Sequence, residues 1–235
     1  MEPVFDFVSA DADGAIREAE AGVAGDTRAS FFRKAAVGGG AVLTSGAFMG
    51  MLPEMAMARP SKAQDLRILN FALILEFLEA AFYKEALAKQ AAYPRKEVRD
   101  LAALVHAHEQ THVTALKKTI KALGGRPAKQ PFFDFKGTTD NETDFVATAV
   151  VLENTGVNAY LGQAARLQSR ALLGTAASIV TIEGRHAAAF LILQGNDPYN
   201  PGTGSITPDG AFDVPKSKKR ILEAVGKTGF ITTQS

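Results

Sequence analysis

Apolar positions recur at alternating intervals of three and four through the middle of the chain. Leu66, Leu69, Leu73, Ala80, Tyr83 and Leu87 mark one helical stripe, which Pro94 closes. Val105, Leu116 and Leu123 mark a second, on a helix over about 95–123 that stops at Gly124-Gly125. A connection of roughly sixteen residues follows, carrying Pro127, Pro131 and the aromatic cluster Phe132, Phe133 and Phe135. Thr139 and Glu142 stand in capping-box spacing before a third helix over about 142–169. A fourth spans about 175–194, with Gly195 and Pro198 as stop signals. Two short links and one long crossover predict an all-α fold, one antiparallel helix pair joined to another.

The flanks lack this pattern. Residues 1–26 hold Glu2, Asp6, Asp11, Asp13, Glu18, Glu20 and Asp26 against the single base Arg17, which predicts an acidic flexible extension. Residues 27–60 open on Thr27, Arg28, Phe31 and Arg33, run uncharged from 35 to 53, and end on Ala56-Met57-Ala58. That order predicts an export signal of twin-arginine type, with Ala29 where the second arginine belongs. It places the mature protein outside the cytoplasm. A membrane anchor and a helix of the soluble fold are the alternatives. Residues 195–235 predict a surface loop and a short C-terminal helix over about 218–225. Its cluster Lys216, Lys218, Lys219 and Arg220 has no aromatic interleaving and is read as a solvated helix start, not a nucleic-acid patch.

Composition narrows the chemistry. The chain of 235 residues has no cysteine, so thiol nucleophiles, disulfides and cysteine-held clusters are excluded. A net charge of +1 gives no global pull toward nucleic acid or acidic membranes.

Six polar residues then stand out because they occupy apolar seams. Glu76 lies between Leu73 and Ala80. Glu109 and His112, three apart on one face, share a seam with Val105 and Leu116. Glu153 sits among Val146, Ala149 and Val157, while Glu183 and His186 fall between Ile179 and Phe190. An ionised carboxylate in a bundle core must be neutralised, paired or metallated. In chain order the helices read Glu, Glu-x-x-His, Glu, Glu-x-x-His, the ligand arithmetic of a carboxylate-bridged dinuclear centre. The halves mirror each other, since Tyr83 follows Glu76 and Tyr160 follows Glu153 two turns on, which places each tyrosine below its own glutamate. Both are expected as packed hydroxyls, hydrogen-bond partners of the ligands or electron relays. Glu79 and Glu85 fall off the seam and are expected in solvent or behind the ligands. His106 and His108 are expected in surface or packing roles.

The stretch from Asp65 to Tyr83, His108-Glu109-Gln110-Thr111-His112, Leu152-Glu153-Asn154-Thr155-Gly156-Val157-Asn158-Ala159-Tyr160 and Ile182-Glu183-Gly184-Arg185-His186 together resemble the bacterial ferritin-like domain family that includes desiccation-related proteins. The likeness covers about residues 61–194. More distantly, the ligand pattern is similar to bacterioferritin, rubrerythrin and ribonucleotide reductase small subunits. The resemblance implies a ferritin-like four-helix bundle holding two iron or manganese ions per chain. Glu109 and Glu183 would bridge them, Glu76 and Glu153 would be terminal ligands, and His112 and His186 would supply one nitrogen each. It implies Fe(II) chemistry with dioxygen or peroxide in iron handling or in oxidative or desiccation stress. The electron donor would be external, and a homo-oligomer is compatible. A stress or envelope protein with a structural dimetal centre and a manganese catalase are the alternatives.

Overall fold

The computed structural model describes residues 61–198 and 212–232. The acidic stretch 1–26, the export-like stretch 27–60 and much of the loop after 195 lie outside the described residues. Four long helices, α1 (Lys62–Ala88), α2 (Lys96–Ala122), α3 (Glu142–Ala164) and α4 (Arg170–Leu193), make the bundle, and a shorter α5 (Lys218–Thr228) follows. α1 packs on α2 and α3 on α4 as two antiparallel hairpins, joined by α1 against α3 and α2 against α4. α1 therefore meets neighbours on several sides, and Leu73, Leu75, Phe77, Leu78 and Phe82 are buried around most of its circumference.

Local chemistry sets the helix ends. Ser61 caps α1 by accepting from the Gln64 N–H at 3.2 Å. α2 ends where Gly124 takes φ of 71°, a left-handed conformation that costs glycine little. The capping box expected at Thr139 and Glu142 does not form. Asn141, directly before the first helical residue, accepts from the Asp144 N–H at 2.9 Å instead. Thr139 donates its hydroxyl to Glu85, and Glu142 pairs with the Arg95 guanidinium. α3 also ends earlier and α4 begins earlier than the sequence pattern suggests. Ser169 caps α4, and buried Asp65 accepts from the Gln168 and Ser169 N–H groups at 2.8 and 3.3 Å, fixing the turn between them.

The ends of the bundle are built differently. At the C-terminal end of α1, Phe82, Tyr83, Tyr93, Phe145 and Phe190 form stacked and edge-on contacts, with Phe135 and Phe230 added from outside the four helices. At its N-terminal end the core is mainly aliphatic: Ile68, Leu69, Leu116, Leu167, Leu172 and Ile179.

The crossover between α2 and α3 carries β1 (Phe132–Phe133), which pairs antiparallel with β2 (Ile231–Thr232) near the end of the chain. Neither strand is signalled by periodicity, because two residues are too few to alternate. The segment before α5 also lies directly on α3. Lys216 N–H donates to the Asn158 carbonyl at 3.0 Å, and a Cβ placed on Gly162 would lie 1.8 Å from the Lys216 carbonyl oxygen. Ile221, Val225 and Phe230 complete the fit by entering the aromatic core.

Candidate metal centre

Each of the four bundle helices contributes one unit to a single buried cluster. Glu109, Glu153 and Glu183 have no exposed surface, and Glu76, His112 and His186 have little. Two overlapping sets arise: Glu76, Glu109, His112 and Glu183, and Glu109, Glu153, Glu183 and His186. Within each set the potential ligand atoms all lie within 4.8 Å of one another. His112 Nδ1 lies 3.2 Å from Glu76 Oε2, 3.3 Å from Glu109 Oε2 and 3.1 Å from Glu183 Oε1. His186 Nδ1 lies 3.2 Å from Glu153 Oε2, 3.2 Å from Glu109 Oε1 and 3.6 Å from Glu183 Oε2. Glu109 and Glu183 thus each turn one oxygen toward each imidazole, while Glu76 and Glu153 each serve one side.

A single Nδ1–H can donate to only one oxygen well. Glu109 Oε1 and both oxygens of Glu183 are buried without a directed hydrogen bond among the described residues. Leaving carboxylate oxygens this way costs several kcal/mol unless a cation compensates, roughly the penalty of an unpaired buried charge. The electrostatics agree. Burial, reinforced by neighbouring carboxylates and only partly offset by the imidazoles, pushes Glu76 and Glu153 well above the usual carboxylate range. Burial opposes charge on the imidazoles, yet the surrounding carboxylates prevail and push His112 up to about 12 and His186 up to about 11. Burial likewise works to raise Glu109, but the imidazoles of His112 and His186 close beside it outweigh it and bring it down to about 2. Protons are thus favoured at the imidazoles and at Glu76 and Glu153, where divalent cations could supply the positive charge instead. This donor set and its orphaned oxygens fit metal.

The tyrosines cross over. Tyr83 donates to Glu153 Oε1 and Tyr160 donates to Glu76 Oε1. Each was expected to lie below its own glutamate. Two turns down the helix it reaches instead the facing helix's glutamate, because α1 and α3 pack side by side through the centre. Burial, then the nearby glutamate's charge, raises both hydroxyls, so they remain donors.

Two further residues lie against the cluster. Of the two places expected for Glu79, in solvent or behind the ligands, it takes the second: it is buried, and its Oε1 would lie 3.0 Å from a Cβ on Gly156, with Glu183 Oε2 at 3.6 Å from the same point. Burial and the charges of Glu183 and Glu153 raise it well above the ordinary range. The lack of a side chain at Gly156, three residues after Glu153, was the signal that could have decided between them. His108 is also more than a surface residue: its Nδ1 lies 2.9 Å from His186 Nε2, with the rings stacked at 5.2 Å. Glu85 stays outside the cluster, held by Lys89 and Thr139, and His106 faces Gln110.

No curated protein matches the chain at a significant level. The profile of the ferritin-like domain matches residues 64–196, a stretch that contains the whole cluster and, but for the first two residues of α1, the four long helices. By that match and by its bundle, the chain belongs to the ferritin-like domain family.

Proposed function

We propose that this chain holds two divalent metal ions, iron by preference or manganese, and oxidises Fe(II) with dioxygen or peroxide in iron handling or stress defence. The observation that carries the reading is the pair Glu109 and Glu183, each directing one oxygen to either side while three of their four oxygens lack a directed donor. Glu76 and His112 complete one position, Glu153 and His186 the other. A nitrogen-and-oxygen set of this kind suits iron or manganese over soft copper(I). When bound, two adjacent ions supply one electron each to an oxidant.

The chain's own residues do the positioning. Tyr83 and Tyr160 hold Glu153 and Glu76 by donating to one oxygen of each, leaving the other free for metal. His108 fixes the His186 ring through its outer nitrogen, which keeps Nδ1 turned inward. Glu79 lies behind Glu183, where burial and the neighbouring carboxylates favour its neutral form. With no cysteine in the chain, electrons beyond those of Fe(II) come from an external donor. We propose export as the route of this protein, on the pattern at 27–60, tested by whether the mature chain begins near Arg59.

The test is anaerobic Fe(II) loading followed by oxidant. The expected result is about two irons per chain and a near-ultraviolet charge-transfer band when dioxygen or peroxide is added. Failure to retain iron or manganese overturns the reading. Metal retained without reaction makes the centre a staple for the four helices, and peroxide disproportionation by the manganese form alone makes it a catalase.

A further inference from the structure

The surroundings of the two tyrosines differ in one respect that bears on the oxidant. Tyr83 is walled by Phe82, Phe145 and Phe190. Tyr160 instead borders a cavity of about 30 Å³ between α1, α3 and α4. Its wall is almost wholly aliphatic, with Leu69, Ala72, Leu116, Leu172, Ala176 and Ile179 among the lining residues. Tyr160 presents its ring there, because its hydroxyl is committed to Glu76. Two side chains other than Tyr160 bring polar atoms to the wall. The Thr175 hydroxyl is already spent on the Ala171 carbonyl at 3.1 Å, and Gln163 Oε1 accepts from Arg166 at 3.4 Å while its buried Nε2 has no partner among the described residues.

Size and polarity together select the occupant. One water needs about 10–15 Å³ on this scale and two to four polar partners, so the space suits about two heavy atoms and offers too few partners to hold ordered water. Hydrogen peroxide would surrender several hydrogen bonds to enter and regain few of them. Dioxygen, apolar and diatomic, gives up nothing comparable. We propose that this cavity admits and holds dioxygen for the adjacent centre, so that oxygen arrives first at the position bounded by Glu76 and His112. This rests on the redox reading above, and it makes dioxygen the oxidant for which the chain is shaped.

Xenon, a dense apolar probe of similar size, tests the site without any redox step. Crystals of the parent under xenon pressure are expected to show a peak within the Leu69, Leu116, Leu172 and Ile179 wall. Ala176→Leu, which fills the cavity and touches none of the six cluster residues, is expected to abolish that peak and leave metal content unchanged. It should slow oxidation of loaded Fe(II) by dioxygen roughly tenfold, equivalent to one small added barrier, and leave oxidation by peroxide unaltered. Leu172→Ala, which widens the same space, should keep the dioxygen rate at or above the parent's and retain xenon. Absence of xenon from the parent, or an ordered water hydrogen-bonded to Gln163 in its place, overturns the inference. So does an Ala176→Leu protein that excludes xenon yet reacts with dioxygen at the parental rate. A parent that takes up xenon and binds metal but reacts with neither oxidant overturns the redox reading, and the oxygen role with it.

Discussion

The two ends of the bundle start from the same local pattern and finish differently. Around Glu153, Tyr83 is pressed into an aromatic wall, and His186 is held from behind by His108. Around Glu76, Tyr160 has aliphatic neighbours and a cavity, and His112 has no such partner on its outer nitrogen among the described residues. The difference teaches that a repeated ligand unit fixes the charge of a centre, whereas the packing beyond it decides rigidity and access. One half is braced and closed, the other soft and open.

The strongest blow to both halves at once is loss of a shared residue. Glu109→Ala or Glu183→Ala should remove metal from both positions. It should also cost the metal-free bundle about 3–5 kcal/mol, the usual penalty for stripping one partner from a buried charged pair. Metal analysis and thermal melting check this, and a variant holding as much iron as the parent would break the picture.

The response to pH comes next and should be common to both halves. Glu76 and Glu153 are raised above the ordinary 4.5 and the two histidines above 6.5, so the native metal-free state binds more protons than the unfolded chain. Stability of the metal-free protein should therefore fall as pH rises from about 5 to about 8. Metal loading should release protons, so affinity rises over the same interval. Melting with and without metal across that range measures both, and a gap that narrows with rising pH would contradict the exchange of protons for metal.

Packing separates the halves. Phe145→Ala in the aromatic end should cost about 3–5 kcal/mol, and Leu69→Ala beside the cavity nearer 2–3, since a side chain bordering empty space loses fewer contacts. Denaturant titration of the metal-free proteins ranks them, and equal losses would erase the contrast. Smallest is the tyrosine pair. Tyr83→Phe leaves Glu153 short of a donor in a closed wall and should cost about 1–3 kcal/mol. Tyr160→Phe strands Glu76 in the same way and should cost about as much.

Much of this was legible in the sequence for a physical reason: carboxylates and imidazoles are too expensive to place in apolar seams by accident. Glu76, Glu109, His112, Glu153, Glu183 and His186 stood out because most of the residues three and four positions away, apart from one another, were Leu, Ile, Val, Ala or Phe. What escaped depended on the neighbouring helix. For Glu79, one turn from Glu76, the sequence left open solvent or a place behind the ligands, and it is Gly156 of α3, by making room for it, that decides. The exchange of tyrosine partners follows from how α1 and α3 sit together, which helical phase on one chain segment does not contain. His108 precedes a ligand in sequence, but its contact is with the opposite hairpin. The start of α3 at Glu142 was legible, but its cap was misread because three polar residues in a row offered one, and Asn141 won by adjacency.

Gly162 has a practical corollary. Its bare Cα is the groove in which the Lys216 carbonyl rests, and from there the tail runs on to plug Phe230 against Phe135. A recombinant fragment trimmed to the profile-matched stretch would keep every acid and imidazole of the centre yet leave its aromatic end bald. For bench work, the sensible cloning boundary lies beyond Thr232, and Gly162→Ala is the gentlest way to unbuckle that strap.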